Sequence, residues 1–411
     1  MPPDPATSPR ILVLTSTYPR WAGDTLPRFV HDLAAEQVRQ GARVRVIAPY
    51  SKGSQEREVL DGVEVVRYRY WFTERDLLSD VAKVPAIRRN PLNLFQVPFL
   101  LLGLWRALVR ERRDFQPQAV HAHWIIPQGV IAVLHLLGRR PRPRLVVTSL
   151  GADIFGLRRL TWLKRWTLAR ADAVTGLSEA ICTEIRDSVR LPTRVPLRRI
   201  PLGVFTERFH PDRRDPALRE RLGEGGEILL FVGRLAEKKG VRYLIEAMPA
   251  VRREFPRAVL WVAGFGEEEA ALRARAEALG LLDRGIRFLG RINHDEAPAY
   301  YASADIFVGP SIVAAGGDTE GLGLVFAEAQ AAGCAVVASD LPAVRDIVTH
   351  GETGCFAAQR DPAALAEQIL GLLRDPERRA RIAAAGRASA LARFDWPTVA
   401  RQYLAELVPA P

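Results

Sequence analysis

Short apolar runs alternate with polar or glycine-containing turns and amphipathic stretches along the chain. Arg10-Ile-Leu-Val-Leu-Thr15 reads as a buried parallel strand ending in the Gly/Pro-punctuated loop Ser16–Asp24. A helix is expected from about Phe29 to Arg39, with Gly41 as its stop, and Val44–Pro49 completes a first βαβ unit. Ala119–Trp124, Arg144–Asp153 and Ala173–Ser178 are further strands ending in polar or glycine residues, where ligands collect in open α/β sheets. The stretch Pro196–Pro211 reads as a link, and after it the pattern starts afresh. Strands are expected at Glu227–Gly233, Ala258–Gly264, Ile286–Gly290, Ile306–Pro310 and Ala335–Ser339. The class is therefore α/β, in two doubly wound domains. The expected division is a tail at 1–9, domains at 10–204 and 205–385, and a helical segment at 386–411 that packs back on the first domain.

Two stretches depart from this rhythm. Within 81–113, the run Asn93–Val109 is strongly apolar and precedes Arg110, Arg112 and Arg113. Gln96, Pro98 and Arg106 break it below bilayer-spanning length, which leaves an interfacial helix or one packed on the sheet. In Phe155–Trp166, Trp162 and Trp166 lie one helical turn apart among four cations, a pattern that serves either headgroups or the core.

Composition adds three constraints. A length of 411 residues with 48% hydrophobic and 26% charged residues fits a globular protein of about two domains. Cys182, Cys334 and Cys355 are scattered without metal-ligand spacing, which fits a reducing cytoplasm. Residues 1–200 carry 32 Lys and Arg against 18 Asp and Glu, whereas residues 201–411 carry 26 against 29. The net charge of +11 thus originates in the first half, which points to an anionic partner there. A membrane surface or a phosphorylated acceptor ranks ahead of nucleic acid, for which no reading motif is evident.

The densest chemistry is Gly316-Gly-Asp-Thr-Glu-Gly-Leu-Gly-Leu-Val-Phe-Ala-Glu328. A Gly-rich loop runs into a helix whose first N–H groups and dipole attract phosphate. Glu320 and Glu328 flank that terminus, and carboxylates there suit hydroxyls better than phosphate. The combination points to a sugar nucleotide, although an ordinary Gly-capped helix has the same pattern. Upstream, Arg234 and Lys239 are spaced to grip a diphosphate, Arg as a fork and Lys as a point charge. No Gly-x-Gly-x-x-Gly follows the first strand, so the dinucleotide fingerprint is absent.

Four blocks together resemble the retaining glycosyltransferases of family four: His-Ala-His-Trp at 121–124, Gly-Arg-Leu-x-x-x-Lys-Gly at 233–240, Pro310-Ser311, and Glu-x7-Glu at 320–328. The resemblance covers nearly the whole chain and is closest to members that build bacterial surface polysaccharides or glycolipids. It implies the GT-B fold, two facing Rossmann-like domains with an interdomain cleft. It implies a nucleoside-diphosphate-sugar donor, a glycolipid or glycan acceptor, no cofactor and no metal. By that likeness Arg234, Lys239, Gly321, Leu322, Gly323 and Leu324 hold the donor diphosphate, and Glu328 takes the ribose. Glu320 takes the transferred sugar, and the backbone near Arg291 and Ile292 meets the base. His123 contacts the reacting sugar, while His121 is the structural member of the pair. Asp153 is a candidate for hydroxyls of acceptor or sugar.

Gly23-Asp24-Thr25 replaces the Gly-Gly-rich loop of many members, which assigns Asp24 and Arg28 to the acceptor side. Asp24 is equally placed to cap the helix that follows. Localisation is expected to be cytoplasmic, peripheral at the inner membrane face. The competing readings are a GT-B nucleotide-sugar epimerase, a phosphorylase, or a non-catalytic membrane-binding module.

Overall fold

The computed structural model describes residues 8–24, 26–72, 90–156, 158–293 and 295–409. Most of the expected tail and the start of the 81–113 stretch lie outside them. The chain forms two compact units, one running to Leu202 and resuming at Trp396, the other spanning Gly203–Asp395.

The first unit is built on β1 (Arg10–Leu14), β2 (Arg43–Pro49), β3 (Arg57–Leu60), β4 (Val63–Tyr68), β5 (Ala119–His123), β6 (Arg144–Ser149), β7 (Ala173–Gly176) and β8 (Leu197–Arg199). Their order in the sheet is β3-β4-β2-β1-β5-β6-β7-β8, and every pairing is parallel except β3 with β4. Like β4, and like β8 inside the stretch read as a link, strand β3 has no counterpart in the sequence reading. Its residues Arg57-Glu-Val-Leu60 are half-exposed at the sheet edge and too polar to stand out. The central strands are buried along nearly their whole length and mostly apolar because helices cover both faces of a parallel sheet. Ile11, Leu12, Leu14, Val46, Val120 and Val147 are buried to 1% exposure or less.

The second unit uses β9 (Ile228–Val232), β10 (Val259–Ala263), β11 (Ile286–Gly290), β12 (Ile306–Gly309), β13 (Ala335–Ser339) and β14 (Cys355–Ala357). The order is β11-β10-β9-β12-β13-β14, all parallel. Leu229, Phe231, Leu260, Val262 and Val308 pack in one core with Leu244, Ile245, Met248 and Val251 of the helix Val241–Glu254. Ile369 and Leu372 of the helix Pro362–Leu373 close the same core. Each such side chain contributes about 1.5–3 kcal/mol by leaving water.

The returning segment begins at Trp396, not at 386 as expected. The helix Pro376–Phe394 stays with the second unit, where Gly386 allows Gln330 and the Thr353 carbonyl to approach within 3.1–3.2 Å of a would-be Cβ. Its Ala/Arg pattern carries no break until Asp395-Trp396-Pro397, so sequence periodicity could not place the boundary. The helix Trp396–Leu407 packs on the first unit through Val399, Ala400 and Tyr403, and Gln40 Nε2 donates to the Pro397 carbonyl at 2.9 Å.

Both sheets reverse strand order near the middle, at β1/β5 and at β9/β12. Ligands of doubly wound sheets bind beyond the carboxyl ends of the strands at such reversals. The topology therefore singles out the loops after β1 and β5, and those after β9 and β12.

Candidate functional site

In the second unit the loops after β9 and β12 touch. Gly240 has φ +62°, and a Cβ there would lie 2.0 Å from the Pro310 carbonyl oxygen, so only glycine permits the contact. The Ile312 amide donates to the Lys238 carbonyl at 2.8 Å, and the Ala315 amide to Glu237 Oε1 at 3.1 Å. These bonds hold the basic loop against the acidic one. Lys239 Nζ lies 2.5 Å from Glu320 Oε2, and the Ser311 hydroxyl donates to the same oxygen at 3.4 Å. Lys239 and Glu320 side chains are only 14% and 11% exposed. Lys238 Nζ pairs with Asp318 at 3.1 Å. Arg234 and Glu267 form an exposed pair at 3.1 Å.

The helix Leu324–Ala331 starts directly beyond Glu320. Its N-cap is Gly323 in the left-handed region at φ +76°, with no side chain bonded to the first-turn amides. A Cβ at 323 would meet the Phe326 ring at 2.8 Å. Gly321, Leu322, Gly323 and Leu324 thus present a helix terminus with its donors and dipole beside Lys239. About one turn in, Glu328 Oε2 accepts the Tyr301 hydroxyl at 2.9 Å. Burial pushes the Glu328 carboxyl up to about 6, partly offset by that hydrogen bond. Arg291 follows β11 with its guanidinium 5.4 Å from the Phe265 ring, and Ile292 beside it is partly buried. The structure thus gathers the basic loop, the acid-flanked helix terminus and the β11 turn on one sheet edge.

Sequence reasoning missed Ser311 as a partner of Glu320, although it noted Pro310-Ser311. It also missed Tyr301, which lies in the mostly buried helix Ala297–Ser303 and reads as core.

In the first unit His121 and His123 project from β5 with ring centroids 4.1 Å apart. His121 Nε2 bonds the Thr148 hydroxyl at 2.7 Å, and its ring lies 5.3 Å from that of Tyr403. His123 is 1% exposed, and burial lowers its imidazole to about 3. Its Nδ1 is buried with no hydrogen-bond partner among the described residues.

Three sequence expectations need correction here. Asp153 is buried, with Oδ2 accepting the Ile125 amide at 2.7 Å and Oδ1 the Ser149 hydroxyl at 2.8 Å. It clamps the turn after β5, where Trp124 takes φ +74°, and is not a carboxylate free for a ligand. Asp24 does not cap the next helix. It accepts from the Arg20 amide at 2.8 Å and from Arg20 Nε and Nη2 at 2.9 and 2.7 Å, while the N-cap of Phe29–Arg39 is Arg28. Arg28 is itself engaged with Asp32 and Asp61, each at 3.3 Å. Local ion pairs so absorb both proposed acceptor-side residues.

Among the described residues no group of three or more His, Cys, Asp or Glu is arranged to hold a metal ion. No helix among them is long and apolar enough to cross a membrane.

The two Rossmann-like units have the GT-B fold. Sucrose-phosphate synthase from Thermosynechococcus elongatus shares the fold with a TM-score of 0.74 at 20% identity, over 96% of this chain and 97% of that one. Anabaena Alr3699/HepE, solved with UDP and glucose, does so at 0.68 and 19%, over 98% and 100%. Residues 25–203 match the glycosyl transferase 4-like domain, and residues 215–389 match the glycosyl transferases group 1 family. A GDP-mannose-dependent alpha-(1-6)-phosphatidylinositol monomannoside mannosyltransferase of Mycolicibacterium smegmatis is 34% identical over 306 residues, 73% of this chain and 79% of that protein. Glycogen synthase of Mycobacterium tuberculosis is 29% identical over 408 residues, 95% and 92% of the two chains. The chain belongs to the group 1 glycosyltransferases.

Proposed function

We propose that this glycosyltransferase moves a sugar, with retention of anomeric configuration, from a nucleoside-diphosphate sugar to a glycolipid or glycan acceptor in cell-surface polysaccharide or glycolipid synthesis. Its acceptor is met at the inner face of an anionic membrane, in keeping with the basic first half. The observation that carries the reading is the Lys239–Glu320–Ser311 cluster at the mouth of the Gly323-capped helix. Arg234, Lys239 and the first-turn amides hold the diphosphate, whose charge grows as it departs, and stabilising that growth is the main catalytic task. Glu320 orients the transferred sugar by its hydroxyls, and Glu328 takes the ribose. The backbone at Arg291 and Ile292 borders the base, and His123 offers a neutral imidazole nitrogen to a sugar hydroxyl. With Asp153 clamped, no carboxylate nucleophile is evident among the described residues of the first unit. The attack then comes from the face the donor leaves, its phosphate oxygen taking the acceptor proton. The mannosyltransferase relatives make GDP-mannose the first donor to try.

The test is calorimetric titration with GDP, UDP, ADP and their sugar adducts, on the wild type and on Lys239→Ala. Binding of one nucleotide that depends on Lys239 supports the reading. No binding to any of them overturns it.

A further inference from the structure

The helix Gln96–Phe115 buries Leu100, Leu104, Ala107, Leu108 and Phe115 against the first unit. Its opposite side, with the turn before it, exposes Phe95, Phe99, Leu102, Arg106, Arg110 and Arg113. Steps of three or four residues put these on one stripe about 27 Å long. The stripe changes character along its length, from aromatic at the start to cationic at the end. Phe95, Phe99 and Leu102 are 68%, 41% and 44% exposed, and Phe72 beyond β4 is 82% exposed. Trp71, Phe72 and Phe99 form a cluster with centroids 5.4–5.6 Å apart. Arg106, Arg110 and Arg113 border a shallow groove of about 610 Å³ whose one lining carboxylate, Asp114, is paired with Arg45 at 2.5 Å, while Arg110 Nε donates to the buried Glu111 Oε1 at 2.8 Å and keeps its outer face exposed.

Water is a poor neighbour for such an aromatic cluster, and charge decides what replaces it. A second copy in a two-fold contact adds another stripe of the same net positive charge and brings no anionic group to Arg106, Arg110 and Arg113. A surface that is apolar inside and anionic at its rim complements both halves.

We propose that this stripe docks on an anionic bilayer. Trp71, Phe72, Phe95 and Phe99 enter the headgroup–acyl boundary, while Arg106, Arg110 and Arg113 lie on lipid phosphates. The orientation follows from topology. In a parallel sheet β4 and β5 end on the same edge, and this helix starts beyond β4 and descends to the start of β5. Its aromatic end therefore lies on the edge that carries His123, and docking turns that edge to the lipid. The use of this orientation rests on the glycolipid reading of the acceptor.

The experiment is flotation of the full chain with phosphatidylcholine vesicles, with and without phosphatidylglycerol. The wild type is expected to float with the anionic vesicles and to dissociate at high salt. Arg106→Gln/Arg110→Gln/Arg113→Gln should weaken that binding about a hundredfold. Phe72→Ser/Phe95→Ser/Phe99→Ser should weaken it at least about tenfold and leave a residue of salt-sensitive binding. Failure of the wild type to float, or unchanged flotation of both variants, overturns the proposal. So does concentration-dependent dimerisation abolished by the Phe variant, which would give the face to a second copy. Nucleotide titration of the same variants separates the two ideas. Intact nucleotide binding with lost flotation supports docking, whereas flotation without nucleotide binding sinks the transferase reading alone.

Discussion

The Lys239 ammonium lies 2.5 Å from the Glu320 carboxylate, although the proposed reaction gives the first to a phosphate and the second to a sugar. A donor diphosphate therefore competes with Glu320 for Lys239, and taking the lysine releases the carboxylate. Glu320→Gln removes the competitor. It should bind the bare nucleoside diphosphate about fivefold more tightly, on the scale of roughly 1 kcal/mol for a partly exposed ion pair. Sugar transfer should fall by two orders of magnitude or more. Calorimetry and turnover on one preparation check both. Weaker nucleotide binding in this variant would make Glu320 part of the nucleotide site.

Arg234 separates stability from binding. Its ion pair with Glu267 is open to water, with side chains 71% and 57% exposed. Arg234→Ala should leave the melting temperature within about a degree, since exposed pairs contribute little. Nucleotide affinity should fall about tenfold or more through loss of a charge-assisted fork. A large melting shift would reassign Arg234 to the fold.

The strands around both sites were legible because a doubly covered parallel sheet writes continuous apolar runs, as in Ile228–Val232 and Val259–Ala263. Gly323 was legible too, since a glycine before an apolar helix marks an uncapped terminus. What escaped was which partner each polar side chain takes where the backbone is irregular, even four residues away. Nothing local ties Arg20 to Asp24 in preference to a cap, and nothing links Ser149 and the Ile125 amide to Asp153. Lys164 shows the same limit. It reads as a headgroup cation beside Trp162, yet it is buried and donates to the Ile154 carbonyl at 2.7 Å. Polar side chains, short or long, take partners that only the folded loop presents.

His121 and His123 predict how the first unit responds to acid. Burial depresses both, His123 to about 3 and His121 well below its ordinary 6.5. Below pH 6.5 the unfolded chain binds protons that the folded chain refuses, so stability rises with pH across this window and is lost as pH falls from about 6.5 towards 3. For His123 alone the loss reaches several kcal/mol at the acid end. His123→Gln should flatten part of this slope in melting curves recorded from pH 7 to 4. The same neutrality means that His123 adds no inflection near 6.5 to a pH–rate profile. If such an inflection vanished in His123→Gln, the residue would be titrating as an exposed imidazole.

Glu328 gives the opposite sign. Its carboxyl stands near 6 against an ordinary 4.5, because burial outweighs the hydrogen bond from Tyr301. Between those two values the folded chain holds a proton that the unfolded chain has released. Stability therefore falls as pH rises through the window and remains lower above it. Glu328→Gln keeps an acceptor for Tyr301 and removes the buried charge. At pH 7 the variant should be about 1–2 kcal/mol more stable and melt a few degrees higher. Ribose hydroxyls need the ionised carboxylate as their acceptor, so wild-type nucleotide affinity should decline as pH drops through about 6. Affinity in Glu328→Gln should be weak and nearly independent of pH. Calorimetric titrations at pH 7.5, 6 and 5, conditions chosen to bracket a carboxyl near 6, read both trends. A wild type whose affinity stays flat across that range would remove Glu328 from the ribose site, while the rise in melting temperature would still mark it as a group kept at the expense of stability.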